Sequence, residues 1–182
     1  PDPRNIQIFR EVCAKVDKIK LFPYAISDKN EKMKFYQAKK DFKSIPDKYR
    51  FIGEKKYKNL DLNNSGSSSL KKSNRKDLKN SAEIEVDCIT LSDWDKTEKL
   101  KNIDLLWIDV QGAEKDVLKG AADILHKIRF IQLEYGETSY EGAMNKKETY
   151  SFLNNLGFEL IKDYSPESAS GDYLFKNKEY HE

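Results

Sequence analysis

Apolar residues fill every position from Leu105 to Val110 except Asp109. A run of that kind suits a strand covered on both faces, and it predicts a central parallel strand. After a turn at Gln111-Gly112 the period changes. From Ala113 onward, Val117, Leu118, Ala121, Ile124, Leu125 and Ile128 recur at helical spacing. Phe130-Ile-Gln-Leu-Glu-Tyr135 predicts a second buried strand. Strand, helix and strand within about thirty residues make a βαβ crossover, right-handed by the general rule.

The same reading extends along the chain. Pro1-Asp-Pro-Arg4 opens a helix with Ile6, Phe9, Val12, Cys13 and Val16 on one face. Residues 19–26 predict a strand, leaving through the turn-forming Ser27-Asp-Lys-Asn30. Residues 32–37 alternate as a half-exposed strand, expected to form a hairpin with the one before it. Residues 39–80 lack periodicity and read as a long loop around Pro46, Gly53 and the serine-rich 63–69 stretch. Residues 82–91 set Ile84, Val86 and Cys88 against Glu83, Glu85 and Asp87, a surface strand with one wet face. A short helix follows, with Ser92 as its expected N-cap. Residues 147–156 read as a helix stopped by Gly157. Two strands, 158–164 and 172–176, then close the sheet as an antiparallel hairpin.

Composition narrows the class. The chain has 182 residues, 35% charged and 38% hydrophobic, which suits one soluble domain. Lys and Arg number 33 against 31 acids, a net charge of +2, and so small a basic excess argues against nucleic acid as a partner. No apolar run is long enough to span a membrane, and residues 1–10 lack a signal-like core. Cys13 and Cys88 read as free thiols in a reducing cytoplasm rather than a disulfide.

Candidate chemistry lies at the strand ends. Asp109 and Glu134 occupy corresponding points near the carboxyl ends of the two apolar strands, where open α/β sheets bind ligands. An acid between Ile108 and Val110 is costly to bury without a purpose, although bonding to the turn amides is the simpler role. Glu114, in the first helical turn, is equally well explained by the helix dipole and free amides. His126 and His181 have no Cys or acid at ligand spacing, so no metal is assigned.

The stretch Ile108-Asp-Val-Gln-Gly-Ala-Glu114, with Val117-Leu-Lys-Gly-Ala121 after it, resembles the FkbM-type methyltransferases, which are S-adenosylmethionine-dependent O-methyltransferases. Gln111 departs from the glutamate usual there, and Trp107 stands where a lysine is common. The resemblance implies an α/β fold: a Rossmann-like, mostly parallel methyltransferase sheet with an antiparallel C-terminal hairpin. It also implies that the first two strands and the glycine-rich cofactor loop would precede Pro1. A single methyltransferase-like domain over residues 1–182, part of a longer polypeptide with other domains, is therefore expected.

By the same resemblance, Ala25, Ile26 and Ser27 would pass the adenine ring. Gly66, Ser67, Ser68 and Ser69 would lie over the amino-acid end of the cofactor, and Asp109, Val110 and Gln111 would complete its site. Thr90-Leu91 matches a threonine-leucine pair that precedes the central strand in the family. Asp109 is the first candidate for the base or the cofactor-amine acceptor, and Glu134 the second, holding an acceptor hydroxyl. Polar loops suit a sugar, glycan or other polar small molecule as acceptor. The alternative is a non-catalytic, methyltransferase-like binding or docking module.

Overall fold

The computed structural model describes residues 1–13, 16–38, 65–78, 82–136 and 139–180. Most of the long loop expected over residues 39–80, and His181, lie outside them. The fold is mixed α/β with two sheets. The first has the order β1 (Ala25–Ile26), β3 (Ala82–Ile89), β2 (Lys32–Gln37). The second has the order β4 (Ile103–Ile108), β5 (Ile128–Tyr135), β7 (Gly171–Asn177), β6 (Phe158–Asp163).

Helix α1 (Pro3–Val12) starts where the Asp2 side chain accepts the Arg4 amide and Pro3 takes the first helical turn. It ends before Val16, which is 44% exposed rather than on its apolar face. The strand expected over residues 19–26 is reduced to Ala25–Ile26. Pro23 has no N–H to give a ladder there. Strand β1 pairs in parallel with β3 through Ala25–Cys88 and Ile26–Ile89, and β2 runs antiparallel on the other side of β3. The expected hairpin between β1 and β2 therefore does not form. Strand β3 separates them, with Val86 and Cys88 inward as its alternation predicts. Cys13 and Cys88 are both free thiols.

Helix α2 (Leu91–Glu98) is capped by Thr90, whose hydroxyl accepts the Asp93 amide at 3.1 Å. Ser92, the expected cap, lies inside the helix and accepts the Asp123 amide instead. The crossover β4–α3–β5 forms as the pattern predicts, with β4 and β5 parallel. Its helix is shorter than the periodicity implies: α3 covers Glu114–Gly120, and residues 122–127 tighten into a 3-10 segment. Helix α4 (Lys146–Asn155) begins in a capping box between Asn145 and Glu148 and stops at Gly157, whose φ is +90°.

Two expectations about the sheet are corrected. Among the described residues two of the five strand pairings are parallel and three antiparallel, so the sheets seen there are not mostly parallel. The short 164–170 connection brings β7 straight back between β5 and β6, which permits only antiparallel neighbours. Strand β4 is not covered on both faces either. Helix α3 and the 3-10 segment pack on Leu106 and Ile108, while Leu105 and Trp107 are 48% and 67% exposed. The main core lies on that covered side, where Leu118, Ile131, Leu133, Leu153, Phe158 and Phe175 are fully buried. No helix among the described residues is long and apolar enough to cross a membrane.

Candidate active site

Two cavities open at the carboxyl end of β4. The larger, about 370 Å³, is mostly apolar. Its walls are Ile6 and Phe9 of α1, Ala25 and Ile26 of β1, Phe35 of β2, and Val110 after β4. Gly66, Ser68 and Ser69 come over it from the 65–70 segment, and Asp109 stands at its rim. The amphipathic α1 and the inward face of β2 place their apolar residues here, where no helix among the described residues covers them.

Asp2 ties this cavity together. It is 3% exposed and is held by the Arg4 guanidinium and by the Gln37 side-chain amide at 3.1 Å. Burial works to raise its carboxyl, but the hydrogen bonds and charge of Arg4, helped by Gln37, outweigh it and hold Asp2 below the usual carboxylate range. The Ser68 hydroxyl joins the group, accepting the Ala38 amide at 3.0 Å.

The turn after β4 is built from the backbone outward. Gln111 has φ +54° and Gly112 φ +95°, two successive left-handed residues that reverse the chain into α3. A β-carbon on Gly112 would fall 2.5 Å from Tyr140 Cβ, so glycine is needed for close approach as well as for φ. Buried Ser69 locks the turn from the opposite side. Its hydroxyl points at the carbonyls of Gln111, 2.8 Å away, and Val110, 3.1 Å away, and accepts the Lys71 amide at 2.9 Å. Glu114 accepts the Gly112 amide at 3.0 Å while only 6% exposed. Burial pushes its carboxyl up, against the backbone donors and with the help of the Asp109 charge.

The smaller cavity, about 150 Å³, lies on the other side of this turn and is polar. Gln111, Glu114, Glu134, Arg75, Tyr140 and Ser170 are among its lining. Burial pushes the Glu134 carboxyl up, and the charges of Asp109, Glu114 and Asp172 push the same way, against a hydrogen bond from Gln111. Tyr140 closes one wall and donates its hydroxyl to the Ser67 carbonyl at 2.9 Å. Another wall hangs from a latch. Lys146 pairs with Asp163 at 2.8 Å and donates to the Pro166 carbonyl at 2.6 Å, and Tyr135 reaches both Asp163 and the Ser165 carbonyl. The latch holds the β6–β7 connection, which carries Ser170 to the cavity.

Most residues singled out from the sequence meet here. Ala25, Ile26, Gly66, Ser68, Ser69, Asp109 and Val110 line the apolar cavity, and Gln111 and Glu134 line the polar one. Ser27 lies outside both linings. It is fully buried, with its amide bonded to the Ile89 carbonyl and its own carbonyl packed on Gly120. Ser67 contributes a carbonyl to Tyr140 rather than a side chain to either lining. The hydroxyls of Ser68 and Ser69 are committed to the protein itself. Asp109 is exposed, so the burial argued for it from sequence is found instead at Glu114, with Glu134 half-buried. Asp2, Phe35, Arg75 and Ser170 were not singled out for the site. They lie 34 or more residues from the 109–114 turn, apart from any local pattern, and only folding brings them to it.

The family model of the methyltransferase FkbM domain matches residues 1–160. The chain is 34% identical over 181 residues to the 2-O-methyltransferase NoeI of Sinorhizobium fredii (strain NBRC 101917 / NGR234), an alignment spanning 97% of this chain and 67% of that protein. No solved structure matches the chain.

Proposed function

The chain belongs to the FkbM methyltransferase domain family, and from that premise we propose that it transfers a methyl group from S-adenosylmethionine to a hydroxyl of a polar acceptor, a sugar or glycan. One observation carries the reading. The turn after β4 separates an apolar cavity from a polar one, with Asp109 at the first and Glu134, near the carboxyl end of β5, at the second.

The apolar cavity fits the cofactor in size and chemistry. Its volume of about 370 Å³ is within the range of small-molecule sites. Ala25, Ile26, Phe35 and Val110 would hold a flat ring, and Asp109 would favour a positive charge at the rim. When bound, the cofactor supplies a methyl group on a cationic sulfur that departs as a neutral thioether. The protein then has two tasks. The first is alignment of the two reactants, which in well-oriented systems is worth about 7–11 kcal/mol. The second is removal of the hydroxyl proton. Glu134 takes that proton in this reading, because it faces the polar cavity and its raised carboxyl suits a base working near neutrality. Asp109 stays with the cofactor side. The acceptor class rests on the carboxylate, phenol, guanidinium and hydroxyl groups around the polar cavity, which match a polyhydroxylated ligand better than a flat apolar one. The free thiols Cys13 and Cys88 fit a cytoplasmic setting.

Calorimetric titration with S-adenosylhomocysteine tests the reading. Micromolar binding that Asp109→Ala abolishes supports it. Absence of binding at saturating ligand would favour a docking module built on the same scaffold.

A further inference from the structure

The Gln111 side-chain nitrogen lies 2.8 Å from Asp109 Oδ1 and 2.8 Å from Glu134 Oε2. We infer that Gln111 is a positioning residue: its amide gives one hydrogen to each carboxylate and so holds the donor-side and acceptor-side acids in fixed register across the turn. The inference rests on the reading of Glu134 as the proton acceptor.

The orientation of the amide follows from its partners. Ionised carboxylates only accept hydrogen bonds, so the NH2 end must face them. The backbone that aims it is held independently, by the Ser69 hydroxyl at the Gln111 carbonyl and by Gly112 packed on Tyr140. Gln111 keeps a left-handed φ of +54°, which an ordinary side chain disfavours. A turn needing only that φ would be easier to form with glycine, so the backbone alone does not call for this side chain.

The chemistry of the bridge is particular to an amide. Two hydrogens on one neutral group serve two acceptors, and neither is lost on titration. A carboxyl group of the same length could bridge only while protonated, and its one hydrogen could serve only one of the two acids. Once ionised it would add a further negative charge to a site already faced by Asp109 at the end of β4, Glu114 of α3, Glu134 of β5 and Asp172 of β7. Arg75 and Tyr140 stand on the opposite wall. Gln111 thus keeps Glu134 available as an ionised base while fixing where it points.

The test uses the full chain labelled with 13C at glutamate carboxyls, with Glu134→Gln assigning the Glu134 signal. Two variants keep the length of the side chain: Gln111→Met removes both donors, and Gln111→Glu also adds a charge. The titration midpoint of Glu134 rises in Gln111→Met and rises further, by about one pH unit or more, in Gln111→Glu. The acidic limb of kcat/KM for acceptor methylation moves with it. A midpoint unchanged in either folded variant overturns the positioning role, since a part confined to the turn would lower stability without moving a carboxyl titration. A midpoint that moves while the rate profile stays in place supports the bridge and overturns Glu134 as the base. The carboxyl titration needs no turnover, so failure of the proposed reaction is read separately.

Discussion

The carbonyl oxygen of Ser27 occupies the place a β-carbon on Gly120 would need, 2.0 Å from it. Helix α3 therefore lies directly on the exit of β1, and the crossover unit is seated against the strand that carries Ala25 and Ile26. The glycine of the Val-Leu-Lys-Gly-Ala run is required by this approach of helix to backbone. Gly120→Ala must push the two apart, with an overpacking cost of about 1–3 kcal/mol. At this chain length each kcal/mol lowers the melting temperature by about 2–4 °C, and a thermal melt showing no loss would refute the contact.

Ser69 is a second fixed point. Ser69→Ala leaves the Gln111 and Val110 carbonyls and the Lys71 amide without their shared partner, a cost of about 1–3 kcal/mol. The same turn shapes both cavities, so binding of S-adenosylhomocysteine weakens alongside stability. If half of that cost falls on the bound state, affinity drops by about tenfold for each 1.4 kcal/mol. Calorimetry and thermal melts on one preparation report both effects.

Glu134 couples rate to pH. Glu134→Gln lowers kcat by about 10²–10⁴-fold with cofactor binding retained. Because the folded protein holds this carboxyl above its ordinary value, the folded state binds the proton more tightly than the unfolded chain. Stability from that proton is fully present below the unfolded pKa and is lost as pH rises through the folded one. Glu134→Gln should flatten that decline when melting temperature is followed from acid to neutral pH. A variant as pH-sensitive as the parent would assign the decline elsewhere.

Asp163 has the opposite sign. Burial works to raise its carboxyl, but the hydrogen bonds from Lys146, the Ser165 amide and Tyr135 outweigh it and leave it lowered. Its contribution is present above the unfolded carboxylate pKa of about 4 and is lost as pH falls through the lower folded value. Asp163→Asn accordingly lowers the melting temperature at pH 7, and the gap to the parent closes in acid. The same change frees the wall that carries Ser170, so KM for the acceptor rises while cofactor affinity holds. Equal loss on both ligands would place the latch elsewhere in the mechanism.

The sequence by itself determined the local pieces. Apolar-rich segments and a switch of period specified β4, α3 and β5, because strand and helix each impose a spacing that a reader can count. The strand patterns placed Asp109 and Glu134 near strand ends and Gln111 in the turn between, and the alternation of residues 82–89 gave the wet and dry faces of β3. What pairs with what belonged to the tertiary structure. An apolar strand does not announce whether its second face is covered, and Leu105 and Trp107 are exposed although their run reads as buried. Strand β2 could have paired with β1 by proximity in the chain, yet it lies across β3. Pro23 and the turn after it leave β1 only two residues to pair. The burial assigned to Asp109 fell to Glu114, with Glu134 half-buried, since desolvation depends on neighbours contributed by Tyr140, Ser170 and other distant segments. Hydrogen bonds such as the one from Gln111 to Glu134 span 23 residues of chain, and only the folded backbone brings those atoms within 2.8 Å.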